Sequence, residues 1–208
     1  MNAAGLACVV CVGMLLVAEA RGARGLRVIA KCGAALAMVL CGITAGAGAT
    51  AVGRRVLLGL GLSAGGDVAL LGKGRGAFMA GLVLFAAAHL AYASAALTAG
   101  ASWLGALAIA AALGIPARYV WAWLSPHVPS GLRIPVLAYL GIITAMVALA
   151  LAGAWSGVVT PRFAVGAVLF YLSDLAVARE RFVHSAVSNR LWGLPAYFGA
   201  QLLIATSL

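Results

Sequence analysis

The chain has four acidic residues, and two of them, Asp67 and Asp174, stand inside apolar stretches. A carboxylate at the middle of a membrane helix costs at least about 2.5–3.5 kcal/mol on insertion scales, so an intramembrane aspartate needs a partner or a task. Two carboxyl groups facing one cavity have a defined task, because a single proton held between them supplies an acid and a base at neutral pH. Hydroxyls accompany both: Ser63 lies one turn before Asp67, and Ser173 is adjacent to Asp174. Ser63 falls in Gly61-Leu62-Ser63-Ala64-Gly65, but within an apolar helical run rather than at the strand-to-helix turn of a nucleophile elbow, and Ser173 has no such motif, so a serine nucleophile is not the expectation. The competing reading of each polar residue is structural, since polar side chains also hold membrane helices together by hydrogen bonds.

The composition says what must position these groups. Of 208 residues, 65% are hydrophobic and 9% are charged, against about 25% charged in a soluble domain. Within a bilayer every backbone N–H and C=O must be paired inside the protein, which leaves helices or a closed barrel. The apolar runs show none of the alternation that a barrel strand requires, so the expected fold class is all-α, a polytopic transmembrane bundle of about eight helices forming one domain over residues 1–208. A span needs about 20 apolar residues. Polar and Gly/Pro-rich breaks then place helices near 3–20, 28–47, 56–71, 76–98, 102–123, 133–152, 161–178 and 191–207. The connections are short, so helices consecutive in sequence should be antiparallel neighbours. The first apolar run lacks a basic segment before it and reads as a retained helix rather than a signal peptide.

The net charge of +10 does not point to nucleic acid, because the cations punctuate the spaces between apolar runs instead of gathering on one face. They read as topology determinants. Odd connections carry nine (Arg21, Arg24, Arg27, Lys73, Arg75, Arg133, Arg179, Arg181 and Arg190) and even ones three (Arg54, Arg55 and Arg162), which puts both termini outside the cytoplasm. A bacterial cell membrane is the expected location. In this frame Asp67 and Asp174 lie at one depth, each about four residues before the cytoplasmic end of its helix. Lys31, Arg118 and Tyr139 occupy the same half of the bundle, with His89, Tyr92, Tyr197 and Gln201 somewhat deeper. His89 alone does not make a zinc site, which needs three or four ligands, and Cys8, Cys11, Cys32 and Cys41 read as small packing residues. Gly59-x7-Asp67-Val68-Ala69 and Gly166-x7-Asp174-Leu175-Ala176 form a weak internal echo four helices apart.

At these residues the sequence resembles the lysoplasmalogenase family of integral membrane proteins, the YhhN/TMEM86 type. The matching segments are Ser63-Ala64-Gly65-Gly66-Asp67, then Phe78-x2-Gly81-Leu82-x2-Phe85-x3-His89-Leu90-Ala91-Tyr92, then Gly166-x3-Phe170-x2-Ser173-Asp174, and Tyr197-x3-Gln201-Leu202-Leu203-Ile204-Ala205. Lys31 resembles the lysine that opens the family's second helix, although Cys32-Gly33 stands where a proline is expected nearby. The resemblance implies a membrane hydrolase that cleaves the vinyl ether of a lysoplasmalogen, a lysophospholipid, to a fatty aldehyde and glycerophosphoethanolamine or glycerophosphocholine.

Such chemistry calls for an acid and a base flanking the bond, the roles expected of Asp67 and Asp174. Lys31 and Arg118 are the expected partners of the phosphate, with Ser63, His89, Tyr92, Tyr139, Ser173, Tyr197 and Gln201 placing water or a glycerol hydroxyl. No metal or redox cofactor enters this scheme. The alternative class is a small proton-coupled transporter or channel for an amphiphile, since intramembrane carboxylates also relay protons. It predicts broken helices and access from both faces.

Overall fold

The computed structural model describes residues 2–207. Eight α-helices appear in the expected order: α1 (Ala3–Arg21), α2 (Arg24–Thr44), α3 (Ala51–Ala69), α4 (Gly74–Thr98), α5 (Trp103–Leu124), α6 (Ser130–Trp155), α7 (Pro161–Ala178) and α8 (Val187–Ala205). Among the described residues, six helices are long and apolar enough to cross a membrane. The other two are α3, which carries Arg54, Arg55 and Asp67, and α8, whose first turn holds Ser188, Asn189 and Arg190. These two polar helices contribute Asp67 and Tyr197 to the site described below. A π-helical turn, Arg179–Val183, extends α7.

Helices α1, α2, α3, α4, α6, α7 and α8 pack in that order around a closed ring, and α8 leans inward to touch α2 and α3 as well. The expectation that all consecutive helices are neighbours fails at one place. Helix α4 buries itself on α3 and α6, while α5 packs chiefly on α6 at the bundle's edge. Only Ala106 and Leu124 of α5 are buried, and Trp103, Leu104, Leu107 and Ile115 are turned outward. Apolar side chains facing hydrocarbon need no protein partner, so a membrane helix can stand on a single neighbour. Helix α5 runs on through Pro116.

Close approach of helices depends on small residues, and two glycines explain the Gly-x7-Asp echo. A Cβ at Gly59 would overlap the ring of Tyr92, and one at Gly166 would lie 2.9 Å from the Ala200 carbonyl oxygen on α8. Each glycine therefore lets a neighbour press against an aspartate-bearing helix two turns from its carboxylate. The shared spacing has a packing cause on both helices. Between them the core is filled by Tyr92, Phe170, Phe198, Met146 and Ile204, all at 1% exposure or less. The four cysteines are free, with Cys8 and Cys41 buried.

Candidate functional site

The turns α1–α2, α3–α4, α5–α6 and α7–α8 gather at one end of the bundle, and a cavity of about 590 Å³ opens among them. Its wall includes Lys31 from α2, Asp67 from α3, Tyr139 from α6, Ser173 and Asp174 from α7, and Tyr197 from α8. All four acidic residues of the chain, Glu19, Asp67, Asp174 and Glu180, line this one space.

Each aspartate is held by a tyrosine from another helix. Tyr197 donates its hydroxyl to Asp67 Oδ2 at 2.6 Å, and the Lys31 ammonium lies 3.2 Å from Asp67 Oδ1. The pair is well buried, with side-chain exposures of 13% for Lys31 and 4% for Asp67. Removing either partner would strand the other, which is why buried ion pairs break at high cost. On the facing side Tyr139 donates to Asp174 Oδ2 at 2.7 Å, and His89 Nε2 lies 2.9 Å from the same hydroxyl and 3.4 Å from the same carboxylate oxygen. Asp174 thus ends a chain of three titratable groups, His89, Tyr139 and Asp174. Among the described residues no hydrogen bond or ion pair joins the two carboxyls directly; each is anchored separately, and both line one cavity.

Phe85 lines the cavity floor between the two halves, and Phe170 packs behind it. Phe85 packs edge-on against Tyr197 with ring centroids 5.7 Å apart, and Phe170 meets His89 at 4.5 Å and Tyr197 at 5.2 Å. Gly66, beside Asp67, leaves room for the Phe85 ring, which a Cβ would meet at 2.7 Å. An apolar floor excludes water from beneath the carboxyls and strengthens their electrostatic interactions.

Apart from Arg118, the remaining expected site residues divide into four behind the wall and Ser173 within it. Ser63, His89, Tyr92 and Gln201 are fully buried behind the wall rather than exposed to the cavity. They do not present hydroxyl, imidazole or amide groups to a ligand in the lumen. Tyr92 instead donates to Gln201 Oε1 at 2.6 Å, and His89 reaches the cavity only through Tyr139 and Asp174. Ser63 Oγ, His89 Nδ1 and Gln201 Nε2 have no hydrogen-bond partner among the described residues. Ser173 bonds the Phe170 carbonyl of its own helix at 2.7 Å, not Asp174. Arg118 belongs to neither group. It is exposed on the peripheral α5, its guanidinium over the ring of Tyr119 at 5.0 Å and outside the cavity wall, because α5 turns that face away from the ring of helices.

What the sequence pattern missed is the outer wall. Glu19 is only 6% exposed, with Arg27 Nε 2.9 Å from its Oε1 and Arg190 Nε 2.9 Å from its Oε2. Arg190 also pairs with Glu180 through Nη1, and Glu180 accepts from Ser185 Oγ, the Ala186 amide and Asn189 Nδ2. The legible signal was the scarcity of acids: the two carboxylates besides the aspartates also stand at this end of their helices. Among the described residues, no three His, Cys, Asp or Glu side chains converge as a metal-ligand set.

The model of the YhhN family matches residues 26–208. A bovine (Bos taurus) relative, lysoplasmalogenase TMEM86A, is 34% identical over 161 residues, covering 74% of this chain and 64% of its own length. The human (Homo sapiens) protein of that name is 32% identical over the same coverage, so the chain spans about 64% of the length of both. Lysoplasmalogenase TMEM86B of pig (Sus scrofa) is 34% identical over 184 residues, 86% of this chain and 74% of that one. No solved structure shows a significant match. With the family model spanning α3 to α8 in full and most of α2, and with Asp67, Asp174, Lys31 and Tyr197 inside the matched region, this integral membrane chain belongs to the YhhN family.

Proposed function

We propose that the chain hydrolyses the vinyl ether of lysoplasmalogens, with Asp67 and Asp174 as its acid–base groups. The observation that carries this reading is that two intramembrane aspartates from separate helices line one cavity, each fixed by its own tyrosine. A paired-carboxyl arrangement suits an oxocarbenium-forming hydrolysis, as in glycosidases. The relatives named above are called lysoplasmalogenases, which supports the same substrate class.

The reaction balances without a redox partner. A carboxylic acid gives its proton to the alkene carbon distal to oxygen, breaking the C=C π bond and leaving an oxocarbenium ion. Water adds to the carbon next to oxygen as a carboxylate takes its proton, forming a hemiacetal. The hemiacetal then loses its C–O bond to the glycerol oxygen, which takes up a proton, and the aldehyde departs. Asp174 is the group we assign to proton delivery, because Tyr139 and His89 behind it are exchangeable neighbours through which a proton can be resupplied. Asp67, beside the Lys31 ammonium, is the carboxylate that faces the developing cation and receives the proton of water. Positioned proton transfer of this kind contributes about 10²–10⁴ in rate.

The cavity mouth lies at the end with the greater number of Lys and Arg, so we place it on the cytoplasmic side, with both termini opposite. Between the cavity floor and the far end the bundle is filled by Tyr92, Phe170 and Phe198, which favours a one-sided site over a transport path. The test is turnover in D₂O. Purified protein given a lysoplasmalogen should release aldehyde and glycerophospho product in equal amounts, with one solvent deuterium on carbon 2 of the aldehyde. Aldehyde without that deuterium would rule out protonation of the alkene, and no aldehyde would rule out the activity.

A further inference from the structure

We infer that the outer wall of the cavity is a phosphate-ester clamp, in which Glu19 holds the guanidinium groups of Arg27 and Arg190 in place to receive the phosphodiester of a lysophospholipid headgroup. The identity of the ligand rests on the hydrolase reading. The proton-transfer scheme gives Glu19 no part, yet this carboxylate is 6% exposed in the last turn of α1 and faces two arginines from α2 and α8. Both contacts engage Nε at 2.9 Å, close enough for an ion pair but not aligned as directed hydrogen bonds. The terminal nitrogens of Arg27 make no other polar contact among the described residues, and Arg190 commits only Nη1, to Glu180. Donors arranged in a planar fork are what a phosphate's oxygens accept bidentately.

Charge points the same way. The outer wall holds four arginines, Arg24, Arg27, Arg181 and Arg190, and two carboxylates, Glu19 and Glu180. Arg24 and Arg181, exposed at the mouth, have no carboxylate partner among the described residues, and Arg181 lies over the Phe78 ring. A bridge serving only to tie α1 to its neighbours would need one arginine, and a buried ion pair adds little net stability over apolar packing. A bound phosphodiester supplies the missing negative charge and the missing acceptors together.

The spacing fits a lysolipid. Arg27 precedes Lys31 by four residues and Arg190 precedes Tyr197 by seven, so at 1.5 Å per residue the clamp stands about 6 to 10 Å mouthward of the groups that hold Asp67. Seven covalent bonds separate the phosphorus of a lysoplasmalogen from the alkene carbon that is protonated, about 8 Å when extended, by the reach that backbone bonds have. A phosphate on the arginines therefore brings the vinyl ether level with the aspartates.

The experiment measures equilibrium binding to the full chain in nanodiscs, with two probes that lack a vinyl ether and cannot react. These are a 1-O-alkyl-lysophosphatidylethanolamine and the matching 1-O-alkylglycerol. The wild type should bind the phosphorylated probe at least about tenfold more tightly, the margin one good charged contact confers. Glu19→Gln and Arg27→Gln should each lose most of that margin while holding affinity for the alkylglycerol within about twofold, and Glu19→Asp should recover part of it. Arg27→Gln keeps the measurement decisive if loss of Glu19 disturbs folding, because Arg27 has the single ion pair to Glu19 and its side chain is 36% exposed. Equal affinity of the wild type for both probes, or an undiminished margin in Arg27→Gln, overturns the inference. Competition by glycerophosphoethanolamine but not by inorganic phosphate assigns the site to the headgroup, whereas equal competition by inorganic phosphate overturns that assignment. A margin retained by a chain that releases no aldehyde would sink the hydrolase reading and leave the clamp; aldehyde release without a margin would do the reverse.

Discussion

Replacing Tyr139 by phenylalanine removes one oxygen from the site and leaves the ring in place. That oxygen donates to Asp174 Oδ2 at 2.7 Å and lies 2.9 Å from His89 Nε2, so Tyr139→Phe cuts the chain through which Asp174 is oriented and resupplied. A hydrogen bond to a charged group contributes about 1.5–3 kcal/mol. At about 1.4 kcal/mol per tenfold in rate, its loss in the transition state should lower kcat by about 10- to 100-fold. His89 remains 3.4 Å from the same carboxylate oxygen and retains part of the anchoring, which places the effect toward the lower end. KM should change little, because the hydroxyl touches the aspartate rather than the lipid. The assay is continuous aldehyde release from lysoplasmalogen by the purified variant, with thermal unfolding to establish that it is folded. A folded Tyr139→Phe protein with kcat within about twofold of wild type would refute the assignment of Asp174 to proton delivery, since one lost charged hydrogen bond is larger than that.

Other outcomes follow from single contacts. Lys31→Met leaves Asp67 buried without its counter-charge and should destabilise the fold by about 3–5 kcal/mol in chemical unfolding, with Lys31→Met/Asp67→Asn recovering much of the loss but no activity. Gly59→Ala meets the Tyr92 ring and should cost about 1–3 kcal/mol, seen as a lowered Tm, whereas Gly61→Ala on the same helix has nothing within 4 Å and should leave Tm unchanged. Arg118→Gln should retain kcat/KM for lysoplasmalogen, because that side chain is exposed on α5 outside the cavity wall; a large loss would relocate the headgroup.

Element existence was legible because about 20 consecutive apolar residues leave a membrane chain few other conformations. Three helix starts erred in the same direction. Helix α2 begins at Arg24 rather than near 28, α3 at Ala51 rather than near 56, and α8 at Val187 rather than near 191. In each case a basic residue marked the end of an apolar run and so suggested a connection. Long cationic side chains can stay helical and reach toward the interface, and here Arg27 and Arg190 remain on their helices because Glu19 meets them. The same assumption hid the outer wall: Arg27, Arg190 and Arg179 counted as topology signals, and the glutamates that pair with two of them went unweighed.

The inner site was more accessible from sequence, because a lone acid in an apolar run stands out. Asp67, Asp174, Lys31, Tyr139 and Tyr197 share a cavity. The pattern could not separate the wall from the layer behind it. His89 and Gln201 were grouped at one depth with Tyr197, a wall residue, but depth along a helix says nothing about which face it turns to its neighbours. Arg118 shows the same limit, at a fitting depth on a helix that sits outside the ring.

The central claim is that the two aspartates form one reaction centre. Aldehyde release by Asp67→Asn and Asp174→Asn, each folded and each compared with wild type, tests it most directly. Every variant should fall by at least about 10²-fold, the lower range for positioned proton transfer, and the double variant should fall little further than either single one. Wild-type rates in either folded variant would contradict the account.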